Sequence, residues 1–257
     1  MPIPPGTLEA FGLFLIRTGA LVTSAPVLGY GSGFSGYKVG LTFLLAFLLY
    51  AASGEPLPAD ALHPIGYGLL AAREVVIGVF LGFFLHLVLL AVRVTGEMIG
   101  HEMGFMVASQ VDPASGIHTP LITSVYENLF LLALLTMNGH HWLVRSLGES
   151  FHRAPVGRLS LGAGVVPAVR TMFGEMFGAG IVFAAPVMVF LMLVSILIGL
   201  LARAVPQLNV LEVGFTLRVA IALVAMFLFA PLLEPAMTRL YEGLVLWLDR
   251  GLAALEA

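Results

Sequence analysis

The sequence predicts an all-α integral membrane protein, and three observations carry the prediction. Hydrophobic residues make up 59% of the chain and charged residues only 11%, whereas soluble domains carry about a quarter charged residues. The mean hydropathy of +1.01 is too high for a soluble core, which still has to show water a polar surface. The apolar runs also have helical length and period. None alternates with period two over the roughly ten residues that each strand of a membrane barrel needs.

The elements follow in chain order. Residues 10–28 are mostly apolar but contain Arg17, and the segment ends at Pro26. Residues 39–52, VGLTFLLAFLLYAA, form a short apolar segment, and residues 75–92 are apolar apart from His86. Thr119 and Pro120 supply an N-cap and a first-turn proline for a helix over 121–138, which contains Glu127 and Asn128. Asn138-Gly139-His140 reads as the end of that helix, with Gly139 in the left-handed conformation. The run 176–202 has no formal charge and would span about 40 Å as a helix. A further apolar segment, 219–233, follows Arg218. The last segment, 236–256, is amphipathic, with Arg239, Glu242, Asp249 and Arg250 on a leucine-rich background. Ser124–Glu127 and Asn209–Glu212 both fit a capping box. The second fits its setting better, so 176–203 and 210–233 read as a helical hairpin turning at Pro206, Gln207, Leu208 and Asn209.

A spanning helix needs about 20 apolar residues, and several of these segments are short or carry a charge. Such charges are costly in lipid and are expected to face protein, water or the interface. The chain therefore reads as a subunit of a larger assembly. Arg145, Arg153, Arg158 and Arg170, opposed by Glu149, mark 145–170 as a non-spanning linker, cytoplasmic by the positive-inside rule. The linker separates a longer N-terminal part from the C-terminal hairpin.

Several kinds of chemistry are set aside. There are no cysteines, hence no disulfides, thiolate metal sites or cysteine nucleophiles. A net charge of −3 does not suit nucleic-acid binding. The start MPIPPGTLEAFG has no basic region, so the first apolar segment is expected to be retained. His101-Glu102 begins like a zinc-protease motif, but Phe105 stands where the second histidine belongs. His140 and His141 are adjacent and expected on different sides of a helix. No catalytic residue, metal site or cofactor is expected.

The segment GEMIGHEMG is different. Gly96, Gly100 and Gly104 recur every four residues, a smooth stripe on which another backbone can pack closely. Arg93, Glu97 and His101 recur at the same spacing beside it. They read either as a polar edge that satisfies itself or as one facing a water-filled path. Glu127 reads as a carboxylate complementing a helix N-terminus, with an ion-coupling role as the alternative. Met98, Met103 and Met106 surround the stripe, and methionine suits a deformable seal.

Four stretches carry a resemblance: RTGALVTSAPVLG, GEMIGHEMGFMVASQVDPASG, LTMNGHHWLVRSLGESFHRAPVG and LARAVPQLNVLEVGFTLRVAIAL. In this order they resemble the FliR family of flagellar biosynthesis proteins and its virulence type III secretion counterparts, from about residue 11 to about residue 240. The resemblance implies a subunit of the flagellar export gate in the basal body of the bacterial inner membrane, with no catalytic activity. It implies a FliP-like part over 1–144, the linker 145–170, and a FliQ-like hairpin part over 171–257. Partners would be FliP-like and FliQ-like subunits, FlhB-like and FlhA-like export proteins, membrane lipid and unfolded flagellar export substrates. It also implies a pore plug over Gly104, Phe105, Met106, Val107, Ala108, Ser109, Gln110, Val111, Asp112, Pro113, Ala114, Ser115 and Gly116, reaching to about His118. The alternatives are an injectisome gate subunit and a small secondary transporter. The transporter would need an inverted repeat, which the sequence does not display.

Overall fold

The computed structural model describes residues 4–25, 36–58, 63–104, 121–158, 164–205 and 210–254. Among them the regular elements are all helices: α1 (Thr7–Ser24), α2 (Gly36–Ser53), α3 (Pro64–Glu102), α4 (Leu121–Thr136), α5 (Gly139–Arg153), α6 (Val165–Ala204) and α7 (Val210–Ala254). Four helical stretches are long and apolar enough to cross a membrane: Gly36–Ser53, Pro64–Glu102, Val166–Ala204 and Gly214–Pro231. α4 and α5 form a further candidate, broken by a bend of 70°.

Three helices outrun the segments read from the sequence. The apolar run 75–92 is the middle of the 39-residue α3, which at 1.5 Å per residue is about 58 Å long, nearly twice a hydrocarbon core of about 30 Å. The run 176–202 extends back to Val165 in α6. The segments 219–233 and 236–256 are one helix, α7, which continues through Pro231 and Pro235. Each proline removes one backbone donor and crowds the carbonyl one turn back. A helix survives this where neighbouring helices and local adjustments satisfy the freed groups.

The break between α4 and α5 also differs from expectation. Asn138, with φ 57°, takes the left-handed conformation expected of Gly139, and α5 starts at Gly139. Asparagine tolerates this region because its short amide can hydrogen-bond locally. Ser124 and Glu127 lie inside α4, past its N-terminus, so they form no capping box. Arg145 and Arg153 sit on α5 and Arg170 on α6. Arg153 donates from Nε to Glu149 at 3.0 Å, one turn back on the same helix.

The chain divides into two compact units, each discontinuous in sequence. The first contains residues 1–87, 138–173 and 243–257, and the second 88–137 and 174–242. In the first, Ala10 and Leu13 of α1 pack with Leu57 and with Leu70 of α3. Phe14 of α1 stacks on Phe151 of α5, with ring centroids 4.0 Å apart and planes 3° from parallel. α2 buries only Ala46; Phe43, Leu44, Phe47 and Leu48 are exposed. The second unit packs the end of α3 against α4 and α6. Tyr126 of α4 meets Phe183 of α6 edge to face at 5.9 Å.

Candidate functional site

The glycine-rich end of α3 lies in the second unit. Gly96 and Gly100 are buried while Arg93, Glu97 and His101 are exposed. The two series are offset around one helix, so one side is smooth and packed and the other charged and open. A methyl group on Gly96 would lie 2.5 Å from Thr123 Cα in α4. A methyl group on Gly180 of α6 would lie 2.6 Å from the Ala91 carbonyl oxygen of α3. Thr95 tightens the second crossing: its hydroxyl lies 2.8 Å from the Gly180 carbonyl oxygen and 3.1 Å from that of Ala91. Small residues thus bring α3 to backbone contact with helices on two sides.

Gly104 departs from the stripe its spacing implied. α3 ends at Glu102, and Gly104 takes φ +86° with its N–H donating to the His101 carbonyl at 3.0 Å. This left-handed ending suits glycine. Met103 is fully buried beside it and Met98 is half-buried. The remaining plug residues, Phe105 to Gly116, lie outside the described residues, as do Met106, the Thr119-Pro120 start and the hairpin turn Pro206 to Asn209 with its capping box.

Arg93 reaches across to another helix. Its Nε donates to Oε1 of Glu127 in α4 at 2.6 Å, with the Arg93 side chain 48% exposed and that of Glu127 9% exposed. Glu127 is therefore the anchor of an interhelical ion pair and not a complement to a helix N-terminus. The spacing within α3 could not show this, because the partner comes from another element.

The sequence reading missed a second charged site, buried in the first unit. Arg17 and Glu74 are 0% exposed and Arg73 is 5% exposed. Arg17 donates from Nε to Glu74 Oε2 at 2.5 Å, from Nη1 to the Ser150 carbonyl at 2.8 Å and from Nη2 to the Ala154 carbonyl at 2.8 Å. Arg73 Nη1 donates to Glu74 Oε1 at 2.9 Å and to the Pro155 carbonyl at 3.1 Å. The Arg17 guanidinium also lies 4.2 Å from the centre of the Phe151 ring. Two cations thus share one carboxylate. The excess positive charge meets the carbonyls at and just beyond the C-terminus of α5, where a helix carries its negative pole and unpaired acceptors. Burial pulls the Arg17 pKa below its ordinary value, and the charge and hydrogen bond of Glu74 oppose that shift. The cluster ties α1, α3 and α5 together. The signal in the sequence was the charged pair in AAREVV, at the head of an apolar run, where charges need protein partners.

His140 and His141, expected on different sides of a helix, have ring centroids 4.2 Å apart. Among the described residues no group of three or more His, Cys, Asp or Glu could hold a metal ion. The second unit also holds a mostly apolar cavity of about 420 Å³, lined in part by Tyr126, Phe183, Pro186, Pro235 and Arg239.

Long apolar helices, close glycine crossings and two ion-pair sites formed inside the protein define a helical membrane protein. The chain belongs to the bacterial export proteins, family 1, whose model matches residues 8–244. It is 33% identical to the flagellar biosynthetic protein FliR of Escherichia coli (strain K12) over 230 residues, 89% of this chain and 87% of that protein. It is 32% identical to FliR of Bacillus subtilis (strain 168) over 84% of this chain and 83% of that protein. Its identity to the surface presentation of antigens protein SpaR of Shigella flexneri is 24%, over 86% of this chain and 87% of that protein.

Proposed function

We infer that this chain is a subunit of the flagellar type III protein export apparatus. One observation carries the inference: near-full-length similarity to flagellar FliR proteins at 32–33% identity, against 24% to SpaR. The lower figure keeps an injectisome gate as the second reading. In the flagellar reading the chain works as a membrane-embedded structural component without catalysis, in the inner membrane within the basal body. It assembles there with FliP-like and FliQ-like subunits and with FlhB-like and FlhA-like export proteins, and unfolded flagellar proteins pass through the pore it helps to form. Residues 1–144 correspond to a FliP-like part, 145–170 to a linker and 171–257 to a FliQ-like part.

Within that reading the segment from Gly104 to Gly116 is the plug of the closed pore. Its flanking helix ends support this. α3 is held at Gly96 against Thr123, near the start of α4, so the two helices that flank the segment are held against each other within the second unit. The exposed face bearing Arg93, Glu97 and His101 would then line the water-filled side. The experiment is deletion of 105–116 in the co-expressed complex. Assembly should persist while reconstituted vesicles become permeable to ions; electrically tight vesicles from an intact mutant complex would sink the plug.

A further inference from the structure

Arg218 is the single ionisable residue in the apolar window Gly214–Pro231 of α7. Its level on the hairpin follows from packing. Gly214 meets Ile198 of α6, and Phe229 meets Phe190, so the two helices run antiparallel in this unit. One turn towards Pro231 from Gly214 lies Arg218, and one turn back from Ile198 lies Ser195. Arg218 thus lies between the two crossings, about one helical turn from the Gly214–Ile198 contact.

Arg218 and Ser195 each carry one polar atom left unsatisfied. The Nε of Arg218 and the hydroxyl of Ser195 are shielded from solvent and have no hydrogen-bond partner among the described residues. Three other arginines show what Arg218 lacks. Arg17, Arg93 and Arg153 each hand Nε to a glutamate at 2.5–3.0 Å. A shielded guanidinium donor left unfilled is costly, and lipid tails offer it no acceptor. The surface around it is equally incomplete. Only 17% of the Gly214–Pro231 window is buried within the chain, and Leu217, Val224 and Leu228 of α7 and Ile196, Leu197 and Leu200 of α6 are exposed.

We propose that this hairpin face docks an apolar helix of a partner subunit that carries a carboxylate, and that Arg218 receives that carboxylate. A planar fork of N–H donors fits a carboxylate bidentately, and a turn of the half-buried side chain hands over Nε as its three counterparts do. The apolar rim excludes water around the pair, and a charge pair so shielded sets register between helices. The proposal rests on the export-apparatus reading, because it needs a partner in the membrane.

The test uses the full chain co-expressed with its small partner membrane proteins. Arg218→Leu should cut the yield of assembled complex about tenfold at equal chain level, and Arg218→Lys should keep it within about twofold. The chain has no cysteine, so Leu217→Cys gives one thiol for a benzophenone cross-linker in an otherwise native complex. The cross-linked partner peptide should be an apolar segment containing Asp or Glu. Changing that acid to its amide should cost no more in combination with Arg218→Leu than alone. Wild-type assembly by Arg218→Leu, a cross-linked peptide without an acid, or adducts to lipid alone would each overturn the proposal. The cross-link decides the matter even if Arg218→Leu fails to accumulate. A wild-type chain recovered without partner proteins would instead overturn the export-apparatus reading itself.

Discussion

Arg17 is the residue on which the first unit turns. Three of its nitrogens are bonded, to Glu74, Ser150 and Ala154. Removing one member of a buried pair leaves the other charge uncompensated, which costs about 3–5 kcal/mol. Arg17→Met is therefore expected to lower the thermal midpoint of the purified complex clearly and to raise proteolysis in the first unit. Glu74→Gln should be at least as damaging, because it leaves both Arg17 and Arg73 without their carboxylate. By contrast Glu149→Gln breaks only a partly exposed pair within one helix and should cost under about 1 kcal/mol. Equal midpoints for Glu74→Gln and Glu149→Gln would contradict this ranking. Arg17 was visible in the sequence as a charge inside an apolar run. Its partners were not, since they lie 57 to 137 positions away and no local spacing encodes them.

At the scale of elements, the crossings of α3 depend on having no side chain at Gly96 and Gly180. A Val at Gly96 would drive into the Thr123 backbone and at Gly180 into that of Ala91; backbone cannot yield as a side-chain tip does. Each change is expected to abolish or sharply reduce the complex on a native gel, whereas Gly178→Ala, where a methyl group meets nothing within 4 Å, should assemble normally. At the end of α3, Gly104→Ala forces a left-handed residue with a Cβ, costing about 1 kcal/mol. It should change hydrogen exchange at the α3 terminus before it changes assembly. The four-residue glycine spacing was legible because helix period converts it directly into a face. The extent of α7 was not. Pro231 and Pro235 signal a break by propensity, and burial of Met237, Leu240 and Leu244 beyond them keeps the helix continuous.

At the scale of the whole molecule, the chain leaves much apolar surface for others to cover. α2 is buried at one position, and only 28% of the Val166–Ala204 window is buried inside the chain. Surface of this kind is covered in the cell by lipid or by neighbouring subunits. Expressed alone in mild detergent the chain is expected to aggregate or be degraded, and co-expression with its partners should restore a monodisperse peak in size-exclusion chromatography. A well-behaved monomer would count against the assembly. The sequence by itself determined the class, because hydropathy, helical period and the FliR-like segments are properties of neighbouring residues and survive without a fold. It also determined where the packed and polar faces of α3 lie. Tertiary structure alone decided which charges meet: Arg93 with Glu127, and Arg17 and Arg73 with Glu74. It alone left the Nε of Arg218 without a partner among the described residues. The physical reason is that an ion pair is fixed by proximity in space, which chain order does not record, whereas a helical face is fixed by the 3.6-residue turn, which it does.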